Sequence, residues 1–140
     1  MKTNYTYRMY GRSKGRGKNN AITDDAITIK VKKIDALKYN IIDIGPGYGE
    51  STLAISKTDS SKQIIACEKF IDGINKIAEK NFLHSLTNIS IFHGNVHQLL
   101  DEYCPYNSIS EIWILFPDPW PKKRHFKRRL INVNFFNKIR

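Results

Sequence analysis

From residue 39 onward, short apolar runs alternate with longer stretches in which apolar residues recur every three or four positions. Residues 41–44 form the first run, which ends in Gly45-Pro46-Gly47-Tyr48-Gly49 and is followed by a helical stretch from about Glu50 to Lys57. The second run, 63–67, ends at Glu68, and Ile71, Ile74, Ile77, Ala78 and Phe82 then fall at helical spacing. The third, 89–92, ends at His93-Gly94-Asn95, with Val96, Leu99, Leu100 and Tyr103 on one face of the helix after it. The fourth, 111–116, ends at Pro117-Asp118-Pro119-Trp120, and residues from about Leu130 read as helical to the end. Short buried strands alternating with helices predict an α/β fold, a parallel sheet with right-handed crossovers.

The first forty residues read differently. Residues 1–20 form a flexible basic arm, with Gly11, Gly15 and Gly17 set among Arg and Lys and no apolar periodicity. Residues 24–38 mix the helical and strand periods, so no element is assigned there. The chain divides into an arm, 1–20, and one domain, 21–140.

Charge sharpens this division. The net charge of +10 is unevenly placed. Residues 1–40 hold ten Lys/Arg and three Asp, a net +7; residues 41–120 hold five Lys and ten Asp/Glu, a net −5; residues 121–140 hold eight Lys/Arg and no acid, a net +8. An acidic centre between two basic ends suits a small-molecule site flanked by segments that bind a polyanion. No apolar run is long enough to span a bilayer, and the basic N-terminus lacks the apolar stretch of a secretory signal, so the expected location is cytoplasmic. Cys67 and Cys104 have no Cys-x-x-Cys or Cys/His ligand spacing and are read as packed thiols in a reducing compartment, with no metal site.

In a parallel sheet ligands bind beyond the carboxyl ends of the strands. Here those ends carry Asp43-Ile44-Gly45, Glu68, Asn95 and Asp118. Gly45, Gly47 and Gly49 permit a tight turn and a close approach of backbone to a ligand. The dinucleotide pattern G-x-G-x-x-G would require glycine at position 50, where this chain has Glu50, and an acid at a pyrophosphate-binding helix N-terminus repels its ligand. S-Adenosylmethionine has no phosphate and two cationic groups, so Asp43 and Glu50 nearby are tolerated. Glu68 is placed to accept hydrogen bonds from the hydroxyls of a ribose. Asn95 offers both a donor and an acceptor to an adenine edge, while His93 and His97 beside it read as surface or cap residues.

The run from Ile114 to Arg129 is the most specific stretch. Prolines on both sides of Asp118 stiffen the loop and hold a carboxylate at the strand end. Such a carboxylate accepts from guanine N1–H and the N2 amino group. Trp120 suits stacking on a base. Lys122, Lys123, Arg124, Lys127, Arg128 and Arg129 put six cations in eight residues, suited to RNA phosphates.

This segment resembles the signature of the bacterial tRNA (guanine-N7)-methyltransferases. Ile41-Ile-Asp-Ile-Gly-Pro-Gly-Tyr-Gly-Glu-Ser51 is similar to that family's cofactor loop, Ala66-Cys-Glu-Lys-Phe70 to its second-strand acid, and Tyr7-Arg-Met-Tyr-Gly-Arg-Ser-Lys-Gly-Arg-Gly17 to its basic N-terminal arm. The resemblance covers most of residues 5–140. It implies a Rossmann-like S-adenosylmethionine-dependent methyltransferase, with cofactor contacts at Asp43, Glu68 and Asn95, a functional Asp118 and an RNA contact at Lys122. The residues themselves add Gly45, Gly47 and Gly49 to the expected cofactor site, and Trp120, Arg124 and Arg128 to the expected tRNA contacts. Many family members have Glu at position 43 and Asp at position 95. The family's chains also continue for several strands and carry a later substrate-holding loop. The expectation is therefore a domain truncated after the fourth parallel strand, with an uncovered sheet edge and a separate or fused C-terminal half as partner. Two alternatives stay open, a non-catalytic RNA-binding remnant of such an enzyme and a nucleic-acid amino-methyltransferase.

Overall fold

The computed structural model describes residues 33–139. The basic arm 1–20, and the larger part of the mixed-period segment after it, lie outside the described residues.

Four strands, β1 (Asn40–Ile44), β2 (Gln63–Glu68), β3 (Ile89–His93) and β4 (Glu111–Ile114), form one parallel sheet in the order β3-β2-β1-β4. Helices α1 (Glu50–Thr58), α2 (Ile71–Leu83) and α3 (Val96–Glu102) connect them in turn, and a final helix, α4 (Val133–Lys138), follows β4. The register sets Ile44 beside Cys67 and Ile114, and Cys67 beside Phe92. The loops after all four strands therefore leave from one edge of the sheet.

Strand period sorts the core into two faces. Ile42, Ile44, Ile65, Cys67 and Phe92 meet Val96, Leu99 and Phe135 from α3 and α4. On the opposite face Ala66, Ile89 and Ile91 meet Ile74, Ile77 and Ala78 of α2, and Ile41 and Ile64 meet Ile55 of α1. Both faces are covered, which is why the strands read as continuous apolar runs rather than as alternating ones. The chain moves from β1 through β2 to β3, then crosses back to place β4 on the other side of β1. The order reverses between β1 and β4, and such a switch point is where open α/β sheets open a crevice.

The final helix is shorter than its sequence reads. It starts at Val133 rather than near Leu130, capped by Asn132, whose Oδ1 accepts from Phe135 N at 3.0 Å. Six residues do not sustain a helix alone; Phe135, 1% exposed, anchors it, and full burial of such a side chain is worth about 1.5–3 kcal/mol. The fourth strand also ends early, at Ile114 rather than Phe116. Phe116 turns out of the ladder with φ of +53° and is fully exposed, and Pro117 and Pro119 have no N–H with which to extend it. The cations after the loop form a 3₁₀ helix, Lys123–Arg128, with no buried residue. In α2, Phe82 leaves the buried face; Asn81 is the buried residue of that turn, and Leu86 packs on the cluster. Among the described residues no helix is long and apolar enough to cross a membrane.

Candidate active site

The turn after β1 is built by glycines that its geometry requires. Gly49 precedes α1 with φ of +83°, and a Cβ there would lie 2.4 Å from Ile77 Cγ1. A Cβ on Gly73 of α2 would meet the Gly47 carbonyl oxygen at 2.3 Å. The second helix thus lies directly on the turn. Gly73 does not stand out in the sequence as a site residue. Its only signal there is that of an isolated glycine within a helical pattern, which costs about 1 kcal/mol against alanine and so points to a packing reason.

Glu68, 7% exposed, holds this turn from the side. Its Oε2 accepts from Gly47 N at 2.9 Å, and its Oε1 accepts from Lys69 N at 2.7 Å and Phe70 N at 2.9 Å. A carboxylate has roughly four acceptor positions, so an incoming hydroxyl shares oxygens already in use. Asp43, 1% exposed, lies beneath. Its Oδ2 accepts from Ser51 Oγ at 2.6 Å and Thr52 Oγ1 at 2.8 Å, whereas its Oδ1 is buried with no partner among the described residues. Burial holds its carboxyl above the ordinary value of 3.8; the two hydroxyls pull the other way, and the nearby Glu68 charge adds to the rise. Ser51 and Thr52 thus hold Asp43 in place, and spacing alone does not mark them. Glu50 lies apart from it: its carboxylate is exposed and paired with Lys80, which also donates to the Tyr48 carbonyl at 3.0 Å.

Asn95 caps α3, its Oδ1 accepting from His97 N at 2.8 Å. The acceptor assigned to an adenine edge is therefore shared with a helix N-terminus. His97, read as a surface or cap residue, is half-buried and faces the same space. Its Nδ1 is buried without a partner among the described residues, its ring stands edge-on to Phe135, and burial pushes its pKa below 6.5. Cys67 and Cys104 are free, and burial raises both thiols, Cys104 to about 11, so neither is a thiolate at neutral pH.

Asp118 is exposed at the end of the fourth strand's loop. Trp120 has φ of +39°; its ring stands edge-on to His125 at 5.6 Å, and the Arg128 guanidinium lies 5.0 Å from its centroid. Arg129 donates to the Pro119 and Trp120 carbonyls. Gly45, Glu68, Asn95, Asp118, Trp120 and Arg128 all line one cleft of about 460 Å³, together with Cys67, His97 and Asn132. That volume falls within the range of small-molecule sites. Asp43, Gly47 and Gly49 are not among its lining residues, and neither are Lys122, the exposed N-cap of the 3₁₀ helix, and Arg124, exposed within that helix.

Residues 38–140 match a family model described as "Putative methyltransferase". A protein of Neorickettsia sennetsu named tRNA (guanine-N(7)-)-methyltransferase is 35% identical over 132 residues, covering 92% of this chain and 60% of that one. A Wolbachia pipientis protein of the same name is 34% identical over 106 residues, 76% of this chain and 48% of its own. One from Nitrosomonas europaea is 40% identical over 95 residues, 68% of this chain and 42% of its own. The chain thus spans about half the length of these relatives. It belongs to this methyltransferase family, in which its bacterial relatives are the tRNA (guanine-N(7)-)-methyltransferases that its glycine turn and Pro-Asp-Pro-Trp loop resemble.

Proposed function

We propose that the intact protein transfers a methyl group from S-adenosylmethionine to N7 of a guanine in tRNA, in the cytoplasm. The observation that carries this reading is the meeting of Glu68 and Asn95 with Asp118, Trp120 and Arg128 in one cleft at the switch point of the sheet. The names of the relatives supply the substrate.

The donor set fits the cofactor. A buried carboxylate whose Oδ1 has no partner among the described residues, that of Asp43, suits a site whose ligand is cationic, because a positive charge nearby offsets the cost of ionising Asp43. Bound S-adenosylmethionine supplies an electrophilic methyl on its sulfonium. Glu68 takes the ribose hydroxyls while keeping the glycine turn in place, and Asn95 meets the adenine edge. Guanine N7 carries a free lone pair, so no residue has to remove a proton from it. Asp118 accepts from N1–H and the N2 amino group, orients the ring, and offsets the positive charge that grows on it as N7 is alkylated. Positioning of this kind can supply a large share of a rate. Trp120 stacks on a base, and Lys122, Arg124, Arg128 and the basic segment 1–20 follow tRNA phosphates, with residues 21–140 forming the N-terminal and central part of the methyltransferase domain.

The test is to incubate the intact protein with tRNA and methyl-labelled S-adenosylmethionine, digest the RNA and identify the nucleoside. Label in N7-methylguanosine is expected. Label on an exocyclic amine, or no binding of the cofactor by calorimetry, overturns the reading.

A further inference from the structure

Arg129 closes a run of six cations that reads as a uniform phosphate-binding face, yet its guanidinium points back into the protein. Nε donates to the Pro119 carbonyl at 3.1 Å and to the Trp120 carbonyl at 3.3 Å, and Nη2 donates to the same Trp120 oxygen at 3.2 Å. The flat of the group lies 3.9 Å from the centroid of Phe126, so that ring backs it. Its backbone N–H also donates to the Phe126 carbonyl at 3.1 Å, which seats Arg129 at the end of the 3₁₀ helix.

The carbonyls it holds belong to a strained turn. Phe116 and Trp120 both have positive φ, at +53° and +39°. A side-chain-bearing residue in that region costs of order 1–3 kcal/mol and persists only where its surroundings over-determine it. Pro117 and Pro119 have no N–H with which to tie the turn down from within. The restraint therefore has to come from outside, and Arg129 applies it one and two residues after Asp118. A planar fork backed by an aromatic ring does this; an ammonium on a flexible stem does not.

We propose that Arg129 is a positioning residue: it clamps the Pro-Asp-Pro-Trp turn so that Asp118 faces the cleft and Trp120 stands at its rim, and it is not a phosphate contact. Its effect on turnover rests on the proposed methyl transfer; its effect on Trp120 does not. The chain has two tryptophans, Trp113 and Trp120. A Trp113→Phe background leaves Trp120 as the sole indole among these 140 residues, and any further tryptophan of the intact protein is replaced likewise. Arg129→Ala and Arg129→Lys are made in that background, the Lys variant keeping the charge in case the Ala variant fails to fold.

Acrylamide quenching of Trp120 fluorescence should rise in both variants. Methyl transfer at saturating tRNA should fall by about a hundredfold, the effect of small misplacements on positioned groups, with KM for tRNA nearly constant. The slope of log affinity against log salt should stay at its starting value. Unchanged quenching overturns the proposal, as does unaffected turnover once Trp120 is loosened. A slope reduced by about 0.7–0.9 with unchanged quenching makes Arg129 a phosphate contact instead. Quenching that rises in a protein with no methyl transfer even before substitution keeps the clamp and sinks the proposed reaction.

Discussion

Glu68 Oε2 accepts the Gly47 N–H at 2.9 Å, so the last residue of β2 fixes the turn that leaves β1. The same side chain caps the start of the next connection through Lys69 N and Phe70 N. It therefore joins the two loops between which the proposed cofactor lies.

Glu68→Ala should weaken S-adenosylmethionine binding by roughly 1.5–3 kcal/mol, the range for hydrogen bonds to a charged group. Binding of tRNA should barely change. Calorimetry with the cofactor, on a variant whose circular dichroism matches the starting protein, checks this; unchanged affinity removes Glu68 from the site.

Asp43 gives a pH-dependent expectation. Its carboxyl is held above 3.8, chiefly by burial. For a group raised in the folded state, the stability contribution is full below the unfolded value and is lost as pH rises through the raised one. Asp43→Asn removes that loss. The ligand-free variant should be more stable than the parent at neutral pH, with the difference shrinking as pH falls toward 3.8. Its cofactor affinity should fall, because the cationic ligand loses its counter-charge. Urea midpoints across that pH range, read as the difference between the two proteins, decide it; a variant less stable at neutral pH contradicts the assignment.

Gly73→Ala should disturb the site from outside it. The added Cβ meets backbone, the Gly47 carbonyl, at 2.3 Å, so the glycine turn or α2 must move. Overpacking of this kind costs about 1–3 kcal/mol. Denaturation midpoint and cofactor affinity should fall together; a variant that loses neither shows that the turn adapts freely.

Much of the scaffold is legible in the sequence because its strands are buried on both faces and its glycine turn is local. Residues 41–44, 63–67 and 89–92 announce themselves as apolar runs, and the polar residues that end them necessarily share one edge of a parallel sheet. What is not legible depends on tertiary neighbours. Ser51 and Thr52 matter because α1 turns them toward Asp43. His97 enters the cleft wall because α4 folds against α3. The apolar residues Trp113, Leu115 and Phe116 suggest a longer strand, but the prolines after them end the ladder. The cations from Lys122 to Arg129 look equivalent in the sequence, and only their surroundings separate Arg129, which holds the loop carbonyls, and Arg128, whose proposed phosphate contact sits beside the Trp120 ring, from the exposed Lys122, Lys123, Arg124 and Lys127.

That division carries its own expectation. Neutralising Lys122, Lys123, Arg124 and Lys127 should weaken tRNA binding and lower the log–log salt slope by about 0.7–0.9 for each phosphate that is no longer paired with a cation. Titrations at several salt concentrations measure it, and a slope that does not move makes this segment a solvated face.

Asp118→Asn tests the central claim most directly. The substitution keeps one acceptor but turns an amide donor toward a guanine edge that itself donates. The measurement is the single-turnover rate of N7-methylguanosine formation in tRNA by the intact protein, with cofactor affinity followed in parallel. The rate should fall by about two orders of magnitude or more, since a comparable electrostatic contact is worth roughly 2.7–4 kcal/mol, while cofactor affinity stays near its starting value. Near-normal N7 methylation by the Asn variant would contradict the account, leaving the Pro-Asp-Pro loop as a structural turn.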